Sequence, residues 1–302
     1  MTGSTRVAAI TVNWNGTERS LRCLESVAGG APGAMLILVD NGSSDDPSAS
    51  LRERLPEARL VRLDRNSGYA AGCNAGAQAA MDDGATHLLF LNSDVVIEPN
   101  AVDALIAADM THPGCILGPK IVYEDRPEVI WSAGGYLVRP LMNNHHLGKD
   151  EPASAHTTPC RVDWTTGCAF FVSADVYRRV GPLDEKYFLY LEDTDWCLRA
   201  AGVGVDTWFV PDSVVRHEVS STVESLPPWQ VRYYAYRNHY RLAFLHGPLG
   251  ARPLVLADAA LTLCKAGARS LVARSYRHDR YYHARTRGVA DFVLGRWGAA
   301  PE

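Results

Sequence analysis

The sequence predicts an α/β protein, a mostly parallel central sheet flanked by helices with a C-terminal helical extension. Three observations carry this. Short aliphatic runs alternate with amphipathic stretches through the first hundred residues, the pattern of consecutive β-α units joined by right-handed crossovers. The runs Met35 to Val39 and Leu88 to Leu91 are apolar throughout rather than alternating, as expected of strands covered on both faces. Each also ends in Asn, Asp or Gly, so polar residues collect along the carboxyl edge of the sheet, where open α/β sheets bind ligands.

Arg6 to Val12 is the first strand and stops at Asn13-Trp14-Asn15-Gly16; Leu21, Leu24 and Val27 then fall at helical spacing. Met35 to Val39 is the second strand, closing in Asp40-Asn41-Gly42-Ser43, with a helix over Pro47 to Leu55. The third, Arg59 to Leu63, ends in Asp64-Arg65-Asn66-Ser67-Gly68-Tyr69 and leads to a helix of small residues, Ala70 to Met81. The fourth, from His87, ends in Asn92-Ser93-Asp94 before apolar character resumes at Val95. On local grounds that tripeptide either faces a ligand or caps a helix over Asn100 to Met110.

Beyond Asp94 the alternation breaks. Ile116 to Tyr123, Val129 to Ala133 and Tyr136 to Val138 read as short strands, and the polar, His- and Pro-containing stretch Pro140 to Thr158 as a loop over the site. Val162 to Val172 is a strand with Trp164 and Gly167 at its entrance, followed by a helix from Ala174 that Gly181-Pro182 stops. A further strand, Gly204 to Val210, ends at Pro211-Asp212, shortly before His217.

Composition bounds the function. A chain of 302 residues, 47% hydrophobic, buries a full core. Its seven cysteines stand singly with no C-x-x-C pair, which suits reduced thiols in the cytoplasm. Neither a secretory signal nor an apolar run of membrane-spanning length is visible. Lys265 to Glu302 holds eight Lys/Arg against three Asp/Glu, a net of +5, leaving −9 in the rest of a chain whose total is −4. An acidic body argues against nucleic acid. The basic end, with Leu254 to Leu263 before it and Tyr276, Tyr281 and Tyr282 among its arginines, has the composition of a peripheral membrane contact, or equally of a packing helix or homodimer contact. The expected division is a domain over 1–245 and a basic helical extension over 246–302.

Two constellations carry chemistry. One is the set of strand ends, where Asp40 and Asp94 offer acceptors to a nucleobase, a ribose or a metal. The other is Glu192-Asp193-Thr194-Asp195 at a helix start. Capping and the helix dipole explain one carboxylate there; three within four positions exceed that need, and mutual repulsion raises a pKa toward general-base duty. On a helix, 192 and 195 share a face while 193 points elsewhere. Neither G-x-G-x-x-G nor G-x-x-x-x-G-K-[ST] occurs, which disfavours a dinucleotide oxidoreductase or a P-loop enzyme.

In order along Val7 to Asn238, Thr11-Val12-Asn13-Trp14-Asn15, Val39-Asp40-Asn41-Gly42-Ser43, Asn66-Ser67-Gly68-Tyr69 with Asn74, Leu91-Asn92-Ser93-Asp94, Trp164-Thr165-Thr166-Gly167, Gly181-Pro182-Leu183-Asp184-Glu185, Tyr190 to Asp195, His217 and Arg237-Asn238 resemble family 2 glycosyltransferases of the GT-A fold, rhamnosyltransferase-like branch. The resemblance implies that Asn13, Asn15, Asp40, Asn66, Gly68, Asn74, Asn92 and Ser93 serve the nucleotide, that Asp94 and His217 hold Mg²⁺ or Mn²⁺, that Trp164 and Gly167 meet the acceptor or donor sugar, and that Asp193 is the base, supported by Glu192 and Asp195. It further implies a dTDP- or UDP-sugar donor, a glycan, lipid-linked or small-molecule acceptor, and inversion at the anomeric carbon. The family's usual D-x-D is here Asn92-Ser93-Asp94, so the first carboxylate is missing and metal binding is expected to depend on substrate. A nucleotidyltransferase and a non-catalytic nucleotide-sugar-binding protein are the competing readings; the former lacks a glycine-rich basic signature near the first strand, and the latter leaves Asp193 and His217 without a role.

Overall fold

A computed structural model of the chain describes residues 5–219, 226–272 and 280–301. Strands β1 (Val7–Asn13), β2 (Met35–Asn41), β3 (Arg59–Leu63) and β4 (His87–Leu91) alternate with helices α1 (Thr17–Gly30), α2 (Ser48–Arg54) and α3 (Tyr69–Asp82). They pair in parallel in the order β3-β2-β1-β4. The chain runs outward from β1 to β3 and then returns to β4 on the other side of β1. The carboxyl ends of β1 and β4 therefore flank the topological switch point, where a crevice opens. Helix α3 packs tightly because of its glycines: a Cβ on Gly76 would lie 2.3 Å from the Ile10 side chain.

The chain continues through β5 (Val95–Ile97), α4 (Ala101–Thr111), β6 (Ile116–Tyr123), β7 (Ile130–Ser132), β8 (Gly135–Val138), β9 (Asn143–His146), β10 (Cys160–Val162), β11 (Ala169–Ser173), α5 (Ala174–Val180), α6 (Glu192–Gly202) and β12 (Thr207–His217). The sheet reads β10-β12-β6-β11-β4-β1-β2-β3, with β5 on β12 and β7 on β6. Strand β11 is antiparallel to β4, and β12 is parallel to β6. Two apolar cores cover the two faces, one around Ile10, Phe90 and Trp196, the other around Leu24, Leu89 and Phe171.

Four local expectations are corrected. Asn92 to Asp94 caps no helix, because β5 intervenes and Asn100 is the N-cap of α4. Pro140 to Thr158 is not a plain loop: β9 pairs with β8, and Met142 is fully enclosed. The strand expected over Val162 to Val172 is split into β10 and β11. Pro211 does not end β12. It sits where the register with β6 shifts between Val210 and Val214, an irregularity that spares the missing N–H, and the strand runs on to His217.

Helices α7 (Pro228–His246), α8 (Arg252–Val272) and α9 (Arg280–Val293) share a small core of Tyr240, Val255, Ala259, Val289 and Phe292. Gly288 lets α9 cross α7 closely, since a Cβ there would be 2.6 Å from the Tyr233 carbonyl. Leu254, Leu256 and Leu261 of α8 are exposed. Of the basic end, Arg274, Tyr276 and Arg277 lie outside the described residues; Lys265, Arg280 and Arg287 are exposed, whereas Arg285 turns inward to Thr262 and the Tyr236 ring. Among the described residues no helix is long and apolar enough to cross a membrane. All seven cysteines are free thiols.

Candidate active site

A cavity of about 690 Å³ opens at the switch point. Trp14, Arg19, Asn41, Asn66 and Gly68 line one end, and Asn92, Ser93, Asp94 and His217 lie beside them. Trp131, Asn143, Asn144, His146 and Trp164 form a second wall; Gly167 and the stretch Phe188 to Thr194 form a third.

Asp94 and His217 come together through register. Strand β5 runs antiparallel to β12 with Val95 opposite His217, which sets the residue before Val95 beside the imidazole. His217 Nε2 stands 3.4 Å from Asp94 Oδ1, and both side chains are buried. Among the described residues no third His, Cys, Asp or Glu joins them, and His217 Nδ1 has no hydrogen-bond partner. One carboxylate and one imidazole do not make a closed metal cage. They would suit a hard divalent cation such as Mg²⁺ or Mn²⁺ only if other oxygens completed its shell.

Asp193 occupies the first turn of α6. Its Oδ2 accepts the Gly167 N–H at 2.6 Å, and its Oδ1 accepts from the Thr194 N–H at 2.6 Å and the Thr194 hydroxyl at 3.1 Å. Burial raises its pKa, and those hydrogen bonds only partly oppose the rise. Gly167 is gripped from its other side as well, its carbonyl accepting the Tyr69 hydroxyl at 2.6 Å. Glu192 is 4% exposed yet lines the cavity; burial first, and the Asp193 charge second, push its carboxyl to about 8.

The expectation that Glu192 and Asp195 share a face is corrected. Asp195 points away from the cavity and accepts from Tyr187 at 3.0 Å, Arg199 at 2.9 Å and His246 at 2.7 Å. Burial presses its pKa upward, but these partners outweigh it and hold the carboxyl below its ordinary value. Asp195 thus anchors α6 to α7.

The loop entering α6 is fixed from α7. Phe188, Tyr190 and Leu191 all have positive φ, between 64° and 70°, which costs about 1–2 kcal/mol per residue. Arg237, fully enclosed, donates to the carbonyls of Lys186 and Tyr187, and Asn238 Nδ2 donates to those of Tyr187, Leu189 and Tyr190 at 2.7–2.9 Å. Gly68 has φ +92, and a Cβ there would lie 2.5 Å from the Phe188 carbonyl, so glycine permits the loop to close on the β3–α3 turn.

The other nucleotide candidates divide. Asn66 and Gly68 line the cavity, with Asn66 Oδ1 accepting the Gly68 N–H at 3.0 Å and Asn41 at 3.3 Å. Asn13, Asn15, Asp40 and Asn74 do not line it. Asn13 Nδ2 donates to Asp40 Oδ1 and Ser43, and Arg62 stands 3.2 Å from Asp40 Oδ2. Asn15 Oδ1 accepts the Ser44 N–H. Asn74 is a clamp between α3 and the 183–185 turn, donating to the Leu183 carbonyl and Glu185 and accepting from Tyr177 and the Leu183 N–H. Residues that sequence reasoning missed are Trp14, Arg19, Asn41, Trp131, Asn143, Asn144, His146 and Tyr236. The two-histidine, two-asparagine run at 143–146 was a signal; Trp131 offered none. Burial, with Lys149 and His217 nearby, lowers the His146 pKa to about 4, so its ring is neutral near pH 7.

A carboxylate of raised pKa and a carboxylate–imidazole pair line the same switch-point cavity, and the fold is that of GT-A glycosyltransferases. Among solved structures, GalNAc-T7 with UDP, GalNAc and Mn²⁺ matches at TM-score 0.60 and 19% identity over 85% of this chain and 55% of that one. The mannosyltransferase PcManGT of Pyrobaculum calidifontis with GDP-Man and Mn²⁺ matches at TM-score 0.57 and 16% identity over 98% and 88%. The chain belongs to glycosyl transferase family 2, whose model matches residues 9–177. It is similar to the N-acetylglucosaminyl-diphospho-decaprenol L-rhamnosyltransferase of Mycobacterium tuberculosis, 30% identical over 209 residues, 62% of this chain and 67% of that one. The dTDP-rhamnosyl transferase RfbF of Shigella flexneri is 24% identical over 68% and 70%.

Proposed function

We propose that this glycosyltransferase moves a deoxyhexose such as rhamnose, or a hexose, from a dTDP- or UDP-sugar to a hydroxyl of a lipid-linked glycan, a cell-surface polysaccharide or a natural product, with inversion. The observation that carries the mechanism is Asp193, held 2.6 Å from the Gly167 N–H on the cavity wall with a raised pKa. A carboxylate of raised pKa is a better base and captures an acceptor proton as the hydroxyl attacks. The Gly167 and Thr194 donors fix the carboxylate's orientation, so the proton arrives at a positioned oxygen. A single displacement at the anomeric carbon inverts it, and no second carboxylate is needed as a nucleophile.

Asp94 and His217 would hold Mg²⁺ or Mn²⁺, in keeping with the Mn²⁺ of the solved relatives. Bound there, the cation supplies Lewis-acid neutralisation of charge on the leaving diphosphate. Asn41, Asn66 and Arg19 face the nucleotide end, and Trp164 and Gly167 the sugar end. Rhamnose rests on the names of the two sequence relatives. The exposed leucines of α8 and the basic residues beyond them support peripheral contact with an anionic membrane carrying a lipid-linked acceptor.

Transfer from a panel of dTDP- and UDP-sugars to a mixed acceptor panel, with and without Mn²⁺, tests the reading, with product configuration read by NMR. Release of pyrophosphate from a sugar phosphate would indicate a nucleotidyltransferase, and donor binding without turnover a non-catalytic binder.

A further inference from the structure

We propose that β7 and the β8–β9 hairpin build a pyranose-binding subsite, its wall formed by Trp131, His146 and Trp164 and its rim by Asn143 and Asn144. It rests on the glycosyl-transfer reading above and names the surface that recognises a sugar ring.

The rings form one continuous wall. Trp131 stands edge-on to His217 with centroids 4.5 Å apart, His146 lies 5.0 Å from Trp131, and Trp164 lies 4.9 Å from His146. The backbone fixes it. His146 Nδ1 pairs with the Ser132 hydroxyl at 2.8 Å, tying β9 to β7. The Gly135 N–H donates to the Trp164 carbonyl, and a Cβ on Gly135 would fall 2.3 Å from the indole, so only glycine lets Trp164 lie against the hairpin. Trp131 and His146 are half-buried, Trp131 also packing on the core behind it, and the nearly enclosed Trp164 backs them; all three line the cavity.

The chemistry matches a pyranose. Such a ring has apolar C–H faces and a hydroxyl edge; aromatic walls cover the former, and Asn amides, each both donor and acceptor, satisfy the latter. Asn143 and Asn144 are exposed at the cavity rim. Trp131 touches the imidazole proposed for the cation at the diphosphate, so a ring seated here adjoins the reacting bond. That ring belongs to the donor or to the acceptor.

The test uses the full chain as Asn143→Ala/Asn144→Ala, Trp131→Ala and Trp131→Phe, measuring KM for each substrate, donor hydrolysis, and affinity for free UDP and dTDP with Mn²⁺. The double Asn variant, altered on an exposed rim, is expected to raise one KM about tenfold, the scale of one lost neutral hydrogen bond, with free-nucleotide affinity within about twofold. Trp131→Ala should raise the same KM and Trp131→Phe recover most of the loss. A rise in donor KM assigns the ring to the donor; a rise in acceptor KM with unchanged donor hydrolysis assigns it to the acceptor. Active wild type with both KM values unchanged in the Asn and Trp131→Ala variants overturns the subsite alone. Wild type that transfers no sugar overturns the functional reading and the subsite with it.

Discussion

Glu192→Gln is expected to remove a pH-dependent loss of stability while leaving turnover near pH 7 little changed. Glu192 is 4% exposed, and its Oε2 has no hydrogen-bond partner among the described residues. Burial, then the charge of Asp193, raise its pKa from 4.5 to about 8. Below about pH 4.5 the carboxyl is protonated in folded and unfolded chains alike and has no effect. As pH rises from there, the unfolded chain releases a proton that the folded one retains, so stability falls until about pH 8 and then levels off. At about 1.4 kcal/mol per tenfold difference in proton affinity, the loss is roughly 5 kcal/mol. With about 2 °C per kcal/mol for a chain of this size, that is roughly 10 °C in Tm. Thermal melts of wild type and Glu192→Gln between pH 5 and 9 read the difference in slope directly, because every other titrating group is common to both. Parallel curves would refute the neutral, buried Glu192. The kinetic arm is equally sharp: glutamine replaces a group already neutral at pH 7, so kcat/KM should stay within about threefold. A fall of 10²-fold or more, the scale of a lost general base, would mean that Glu192 takes the proton and Asp193 does not.

Asp193→Asn should lower kcat by roughly 10²–10⁴-fold with donor affinity unchanged by calorimetry; full turnover in this variant, with loss in Asp195→Asn, would move the base to Asp195. Asp94→Ala should abolish the effect of Mn²⁺ on UDP and dTDP affinity, and an unaltered Mn²⁺ effect would remove Asp94 from the cation site. Asn238→Ala removes the Asn238 donor from the Leu189 and Tyr190 carbonyls of a loop with three left-handed residues, the Tyr187 carbonyl keeping Arg237, so kcat and Tm should both fall, the latter by several degrees, while free-nucleotide affinity holds; a normal kcat in a folded variant would detach the loop from catalysis. Salt-sensitive co-sedimentation with anionic liposomes is expected from the exposed Leu254, Leu256 and Leu261 and the basic residues after them, and binding absent at low salt would leave α8 as a packing or dimer element.

The sequence by itself determined the parallel half of the sheet. Strands β1, β2 and β4 are buried over most of their length and so are apolar runs, while β3 lies at the sheet edge with Arg59 and Arg62 exposed; their crossovers are local, so each helix betrays itself by its own period. Polar strand ends marked the crevice edge for the same reason, and the carboxylates at 192–195 were conspicuous because a helix start does not require three. Tertiary structure decided what depends on distant pairing. No local pattern announces that β5 lies antiparallel to β12, yet that register alone sets Asp94 beside His217, and a proline that reads as a strand end is absorbed in an irregularity of β12. Asp193 and Asp195 stand two apart in the chain with opposite fates, one against Gly167 in the cavity, the other held by hydrogen bonds from Arg199 and His246. Asn74 has the chemistry of a ligand-binding amide but spends it on the 183–185 turn. Side-chain chemistry is written residue by residue, whereas a side chain's partner is set by strands and helices remote in sequence, and only the closed sheet and α7 behind it fix which groups face the substrate.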